Sequence, residues 1–119
     1  MTRKQDEISE LLRREISSII LYELNDPHMG FVTVTRVRIA ADFRSAKVLV
    51  TVRGAEQELR RTLGVLAHAR GHIQALIGKR IKLRHTPVLA FQEDTDVRKA
   101  QRVDQLIEDV TRKQAGLQN

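Results

Sequence analysis

VTVTRVRIAADFRSAKVLVTVR, residues 32–53, is the stretch from which the fold follows. In its second half Ala46, Val48, Val50 and Val52 alternate with Lys47, Thr51 and Arg53, the period-two pattern of a strand with one apolar face and one wet face. Leu49, on the wet side, is the exception. In the first half Val37, Ile39 and Ala41 alternate with Arg36 and Arg38, while Val32 and Val34 fall out of phase with them. Either a bulge or twist near Thr35 or a strand start buried on both faces accounts for the slip. Joined near Asp42 to Ser45, the two strands form a hairpin whose outer surface would carry Arg36, Arg38, Lys47 and Arg53 together.

Before the hairpin, Ile8, Leu11, Leu12, Ile16, Ile19, Ile20 and Leu24 recur at three- and four-residue steps and predict an amphipathic helix. It should stop by Asn25, because Pro27 disfavours helical geometry at Asp26 and Met29-Gly30 continues the turn. After the hairpin a second helix begins near Ala55 on Leu59, Leu63 and Leu66. Its stripe is disturbed at Arg70-Gly71 and resumes with Ile73, Leu76 and Ile77 until Gly78. A glycine inside a helix costs about 1 kcal/mol relative to alanine, so Ala69, Arg70 and Gly71 are expected to form a kink between two helices. The basic run Lys79 to His85 alternates like a strand, and Val88 to Phe91 reads as the third strand. Asp94, Thr95 or Asp96 can cap a last helix with Val97, Ala100, Val103, Leu106, Ile107 and Val110 as its stripe.

The resulting class is α+β: helix, strand, strand, helix, kink, helix, strand, helix, with a three-stranded sheet and helices on one face. A chain of 119 residues fits one domain, here 1–113, with 114–119 as a frayed tail. Hydrophobic residues make up 41% and charged residues 30%, a globular composition rather than a disordered one. Cysteine is absent, which removes disulfides, cysteine-based zinc sites and thiol nucleophiles. No apolar run is long enough to span a bilayer and the first residues lack the apolar core of a secretory signal, so a cytoplasmic protein without membrane contact is expected.

The net charge of +6 is unevenly placed. From Arg36 to His85 twelve Lys and Arg face only Asp42, Glu56 and Glu58, whereas the flanks hold nine bases and twelve acids. Between Leu59 and Gln92 there are seven bases and no acid, a one-sign block whose natural partner is a polyanion. Only Tyr22, Phe31, Phe43 and Phe91 are aromatic, too few for a surface built mainly on base stacking. Recognition should then rest on the backbone and shape of a nucleic acid, with Arg70, His72, Lys79, Arg80, Lys82, Arg84 and His85 joining the hairpin's cations.

Enzyme signatures are weak. His68 and His72 lie four apart, as two metal ligands on a helix would, but no third ligand is nearby and the surroundings are basic. Gly78-Lys79 lacks the remainder of a phosphate loop, and helix capping accounts for Asp94 and Asp96. No catalytic residue, metal, cofactor or small-molecule substrate is expected.

The order of elements resembles a type II KH domain, in which a glycine-bearing helix junction contacts single-stranded nucleic acid. The usual junction is G-x-x-G, whereas this chain has Ala69-Arg70-Gly71. With that A-x-G variant, the chain closely resembles the bacterial ribosome-binding factor A family. Further matches are Asn25-Asp26-Pro27-His28-Met29-Gly30, Ala46-Lys47-Val48, Ile77-Gly78-Lys79 and Leu83-Arg84-His85-Thr86-Pro87, and the resemblance as a whole covers nearly all of the chain, residues 3 to 113. The resemblance implies an assembly factor that binds the free 30S subunit and 16S rRNA, and a monomer is expected. It would assist late maturation and rRNA end processing without catalysis, with an association to cold adaptation. A generic KH-type regulator binding single-stranded RNA or DNA is the alternative.

Overall fold

The computed structural model describes residues 1–97, 99, 100, 102, 106–108 and 110. Helix α1 covers Arg3–Tyr22, followed by strands β1 (Val32–Ile39) and β2 (Ser45–Val52), helix α2 (Glu56–Arg80) and strand β3 (Val88–Glu93). The sheet runs β1-β2-β3, with β1 antiparallel and β3 parallel to the central β2. Because a parallel return needs a crossover, α2 must pack back across the sheet to deliver β3.

Helix α1 starts on a capping box: the Gln5 amide donates to Thr2 Oγ1 at 3.2 Å and the Thr2 amide donates to Gln5 Oε1 at 2.9 Å. It ends at Tyr22, ahead of the limit that Pro27 sets at Asn25, and the following turn is closed by the His28 amide on Asp26 Oδ1 at 2.8 Å. Two polar side chains fix it against β1. Ser9 Oγ accepts the Ile39 amide at 3.0 Å, and the buried Gln5 side chain reaches the Ile39 carbonyl.

Pairing settles the phase slip in β1. Val34 pairs with Val50 and Arg36 with Leu49, so Thr35 is one residue too many for the ladder and forms a bulge. Val34, Val37 and Ile39 consequently all point inward, alongside Ala46, Val48, Val50 and Leu89. Leu12, Ile16 and Ile19 of α1 and Leu66, Ile73 and Ile77 of α2, each at most 1% exposed, close the core from the same side of the sheet.

The expected break between two helices is not there. Helix α2 runs uninterrupted through Ala69, Arg70 and Gly71, one helix of 25 residues instead of two. Leu66 and Ile73 lie two turns apart on one face, and an unbroken helix buries both. Each such burial stabilises by roughly 1.5–3 kcal/mol, which outweighs about 1 kcal/mol for a helical glycine. The alternation in Lys79 to His85 does not produce a strand either. Lys79 and Arg80 end α2, and 81–87 is irregular, held by the buried Ile81 and Pro87.

Beyond β3, positions 95–97, 99, 100, 102, 106–108 and 110 are helical, which agrees with the expected last helix as far as it is described. Its stripe does not join the core there, since Leu106, Ile107 and Val110 are each more than half exposed. Val103, the domain end at 113 and the tail 114–119 fall outside the described residues. Among the described residues no helix is long and apolar enough to cross a membrane.

Candidate nucleic-acid interface

Both helices cover one side of the sheet, so the residues predicted to meet nucleic acid divide between two surfaces. On the open side, Arg38 stands opposite Lys47 and Arg36 opposite Leu49, with Arg53 just past the end of β2. On the helical side, Arg70, His72 and Lys79 lie on the exposed face of α2, and Lys82, Arg84 and His85 on the segment that follows it. The hairpin cations and the acid-free block therefore do not merge into one continuous patch.

Two of the predicted contacts are already engaged within the chain. Arg36 donates from Nη2 to Asp94 Oδ1 at 3.1 Å, from Nε to Asp94 Oδ2 at 3.2 Å, and from Nη2 to Asp96 Oδ2 at 2.9 Å. Asp94 is 1% exposed, and the Thr35 hydroxyl and Arg36 together hold its carboxyl below the ordinary carboxylate range against the opposing effect of burial. Its Oδ1 also accepts the amides of Asp96 and Val97, the capping role expected for this stretch. Arg80 is turned onto α1, with Nη2 3.0 Å from Glu23 Oε1 and Nη1 3.4 Å from Glu15 Oε2. Acids from elsewhere in the chain thus reach the acid-free block at Arg80. Sequence separations of 57 and 65 residues hid that compensation.

Arg38, Lys47, Arg53, Arg70, His72, Lys79, Lys82, Arg84 and His85 are all exposed. What sequence reasoning missed is the relief between the helical cations. Gly64, Ala67, Gly71, Ala75 and Gly78 recur at three-, four- and seven-residue spacings, which puts them on one face of α2, and all five are exposed. The result is a ridge of bare helix backbone flanked by Arg60, Arg61, Arg70 and Lys79. A Cβ added at Gly64 or Gly71 would meet nothing within 4 Å, so internal packing does not require glycine at either position. The spacing was visible in the sequence, but the expectation of a kink drew Gly71 out of the pattern.

Among the described residues no three His, Asp or Glu side chains converge as a metal site would require. His68 and His72 are both exposed beside the ridge.

The family model described as ribosome-binding factor A matches residues 4–107. Ribosome-binding factor A of Halothermothrix orenii is 43% identical over 103 residues, covering 87% of this chain and 84% of that protein. The crystal structure of ribosome-binding factor A from Thermus thermophilus superposes with a TM-score of 0.67 at 26% identity, covering 75% of this chain and 94% of that one. A homology model of the Thermus thermophilus factor, fitted into a cryo-electron-microscopy map of its complex with the 30S subunit, gives 0.62 at 26% identity, covering 74% and 92%.

Proposed function

The chain belongs to the ribosome-binding factor A family, a family of ribosome-binding factors, and from that premise we propose that it binds the free 30S subunit through 16S rRNA in the cytoplasm. There it assists late maturation and processing of the rRNA ends as a monomeric, non-enzymatic domain spanning residues 1–113. The observation that carries this reading is the bare ridge of α2. Gly64 and Gly71 each cost the helix about 1 kcal/mol and return nothing in packing, so their value lies outside the molecule. With nothing larger than a methyl group on the ridge a phosphate backbone can approach the helix closely, and Arg60, Arg61, Arg70 and Lys79 stand beside it to neutralise phosphates. Lys82, Arg84 and His85 extend the same cationic surface past the end of α2. Arg36 and Arg80 take a structural part instead, because their charges are already met by carboxylates. Arg38, Lys47 and Arg53 on the open face of the sheet form a second, separate contact.

The test is ultraviolet crosslinking of the protein in growing cells, followed by sequencing of the bound RNA. Reads concentrated at one region of 16S rRNA are expected, together with crosslinked peptides from α2 and 79–85. Reads dispersed over messages would replace this function with that of a generic single-stranded RNA regulator.

A further inference from the structure

A groove of about 570 Å³ lies between the first turns of α1, the β1–β2 turn and the segment 81–85. Its floor is apolar, formed by Ile8, Leu11, Phe43 and Leu83, all half-buried. Lys4, Lys82, Arg84 and His85 stand around it, opposed by one acid, Asp42. Phe43 holds a φ of 60°, the only non-glycine residue with a positive φ among those described. That left-handed region suits glycine or asparagine and is strained for a bulky side chain. The turn fixes it there: the Phe43 amide donates to the Ala40 carbonyl at 2.9 Å, the Ala40 amide to the Ser45 carbonyl at 2.8 Å, and the Arg44 amide to Asp42 Oδ1 at 3.1 Å. The ring packs by one side against the core while the backbone that carries it is strained, and its other side forms part of the floor of a cation-rimmed groove.

We propose that this groove takes one unstacked nucleobase of the bound RNA, laid against the Phe43 ring, with the adjoining phosphates on Lys82, Arg84 and Lys4. The inference rests on the RNA-binding reading above and deepens it, because it adds a contact to a base where the α2 ridge offers contacts to backbone alone. Apolar walls with one aromatic ring match the face of a base, and an excess of cations on the rim matches the phosphates on either side of it. An acidic amphipathic peptide would satisfy the same charges, and the experiment separates the two.

The chain contains no tryptophan, so Phe43→Trp installs a single fluorescent reporter in the full-length protein. Titration with octaadenylate should quench it, whereas an abasic ribose-phosphate chain of the same length should not. The wild-type protein should bind octaadenylate roughly tenfold more tightly than the abasic chain, the size of one base–aromatic stack. Phe43→Asn, which removes the ring and suits the left-handed backbone, should lose that preference while remaining folded and keeping its affinity for the abasic chain. Equal wild-type affinity for the two probes overturns the proposal, as does an equal loss for both in Phe43→Asn. Quenching by an acidic amphipathic peptide but not by octaadenylate also overturns it, in favour of a protein partner. Co-sedimentation of the wild-type protein with free 30S subunits is measured in parallel. Its failure would sink the ribosomal function itself, whereas co-sedimentation without discrimination between the probes sinks the base groove alone.

Discussion

Arg36 and Asp94, 58 residues apart in sequence, meet in a two-point ion pair that ties the end of β3 to the bulge in β1. Asp94 is buried while the Arg36 side chain keeps 38% of its exposure, so the pair reaches across the central β2 with its acid inside and its base partly in water. The same carboxylate holds the Thr35 hydroxyl and caps the helical turn that begins at Thr95. One side chain therefore fixes the bulge that sets the phase of β1 and the direction in which the chain leaves the sheet.

Replacing this carboxylate should cost stability in a pH-dependent way. Asp94 has its pKa lowered in the folded state, so its contribution is present above the unfolded value of about 3.8 and is lost as pH falls through the folded value. Asp94→Asn is expected to destabilise by about 2–3 kcal/mol at neutral pH, below the range for a fully buried pair because Arg36 stays partly solvated. In urea unfolding the gap between variant and wild type should narrow as the pH is lowered below 4. A gap that does not change with pH would mean that hydrogen-bond geometry, not charge, is what Asp94 supplies.

Neighbouring cations at the end of α2 should behave differently. The triple reversal Lys79→Glu, Lys82→Glu and Arg84→Glu is expected to weaken co-sedimentation with free 30S subunits by at least roughly tenfold, and by more at low salt, with an unchanged melting temperature. Arg80→Ala should do the reverse. Losing its ties to Glu15 and Glu23 costs about 0.5–1 kcal/mol, while binding stays within roughly twofold. Equal binding losses in the two variants would place Arg80 among the phosphate contacts.

Gly71 offers a separation of stability from binding. In the unbroken helix Gly71→Gln is expected to add about 0.5 kcal/mol and raise the melting temperature by about 2–4 °C, since nothing lies within 4 Å of the new Cβ. The long side chain then stands on the bare ridge, and affinity for the 30S subunit should fall. Gly78→Ala is the contrast, because there a Cβ would lie 3.1 Å from Thr86 Oγ1 and Thr86 must shift to admit it. Calorimetry and co-sedimentation on the two variants check both statements.

Thr62 should matter to the fold alone. It is fully buried, and its Oγ1 accepts the Gly30 amide at 3.0 Å, tying the α1–β1 connection to α2. Thr62→Val keeps the volume but leaves that amide without its acceptor, at an expected cost of about 1–3 kcal/mol in chemical denaturation. Thr62→Ser retains the bond and should cost less.

Local patterning made much of this protein legible. The stripe Ile8 to Ile20, the alternation Ala46 to Val52 and the end of α1 before Asp26-Pro27 each reflect a constraint acting within a few residues, and each appears in the structure, with Leu24 alone of the expected stripe falling beyond α1. Even the bulge at Thr35 was among the readings of its phase slip, because a one-residue offset reverses every side chain after it. The break at Gly71 misled because glycine's helical cost is a local quantity, whereas the burial of Leu66 and Ile73 that overrides it is a tertiary one.

The candidate interface divides along the same line. Sequence alone determined that residues 59–92 carry bases and no acids, that one face of the hairpin is cationic, and that no thiol chemistry is available. Tertiary structure decided which of those charges remain free, because an ion pair forms by proximity in space and is indifferent to separation along the chain. That is why Arg36 and Arg80 are matched by distant carboxylates while Lys79, Lys82 and Arg84 are left facing solvent. It also decided that the helical and hairpin cations occupy different sides of the sheet, since covering one face with both helices leaves only the other for the outward strand residues.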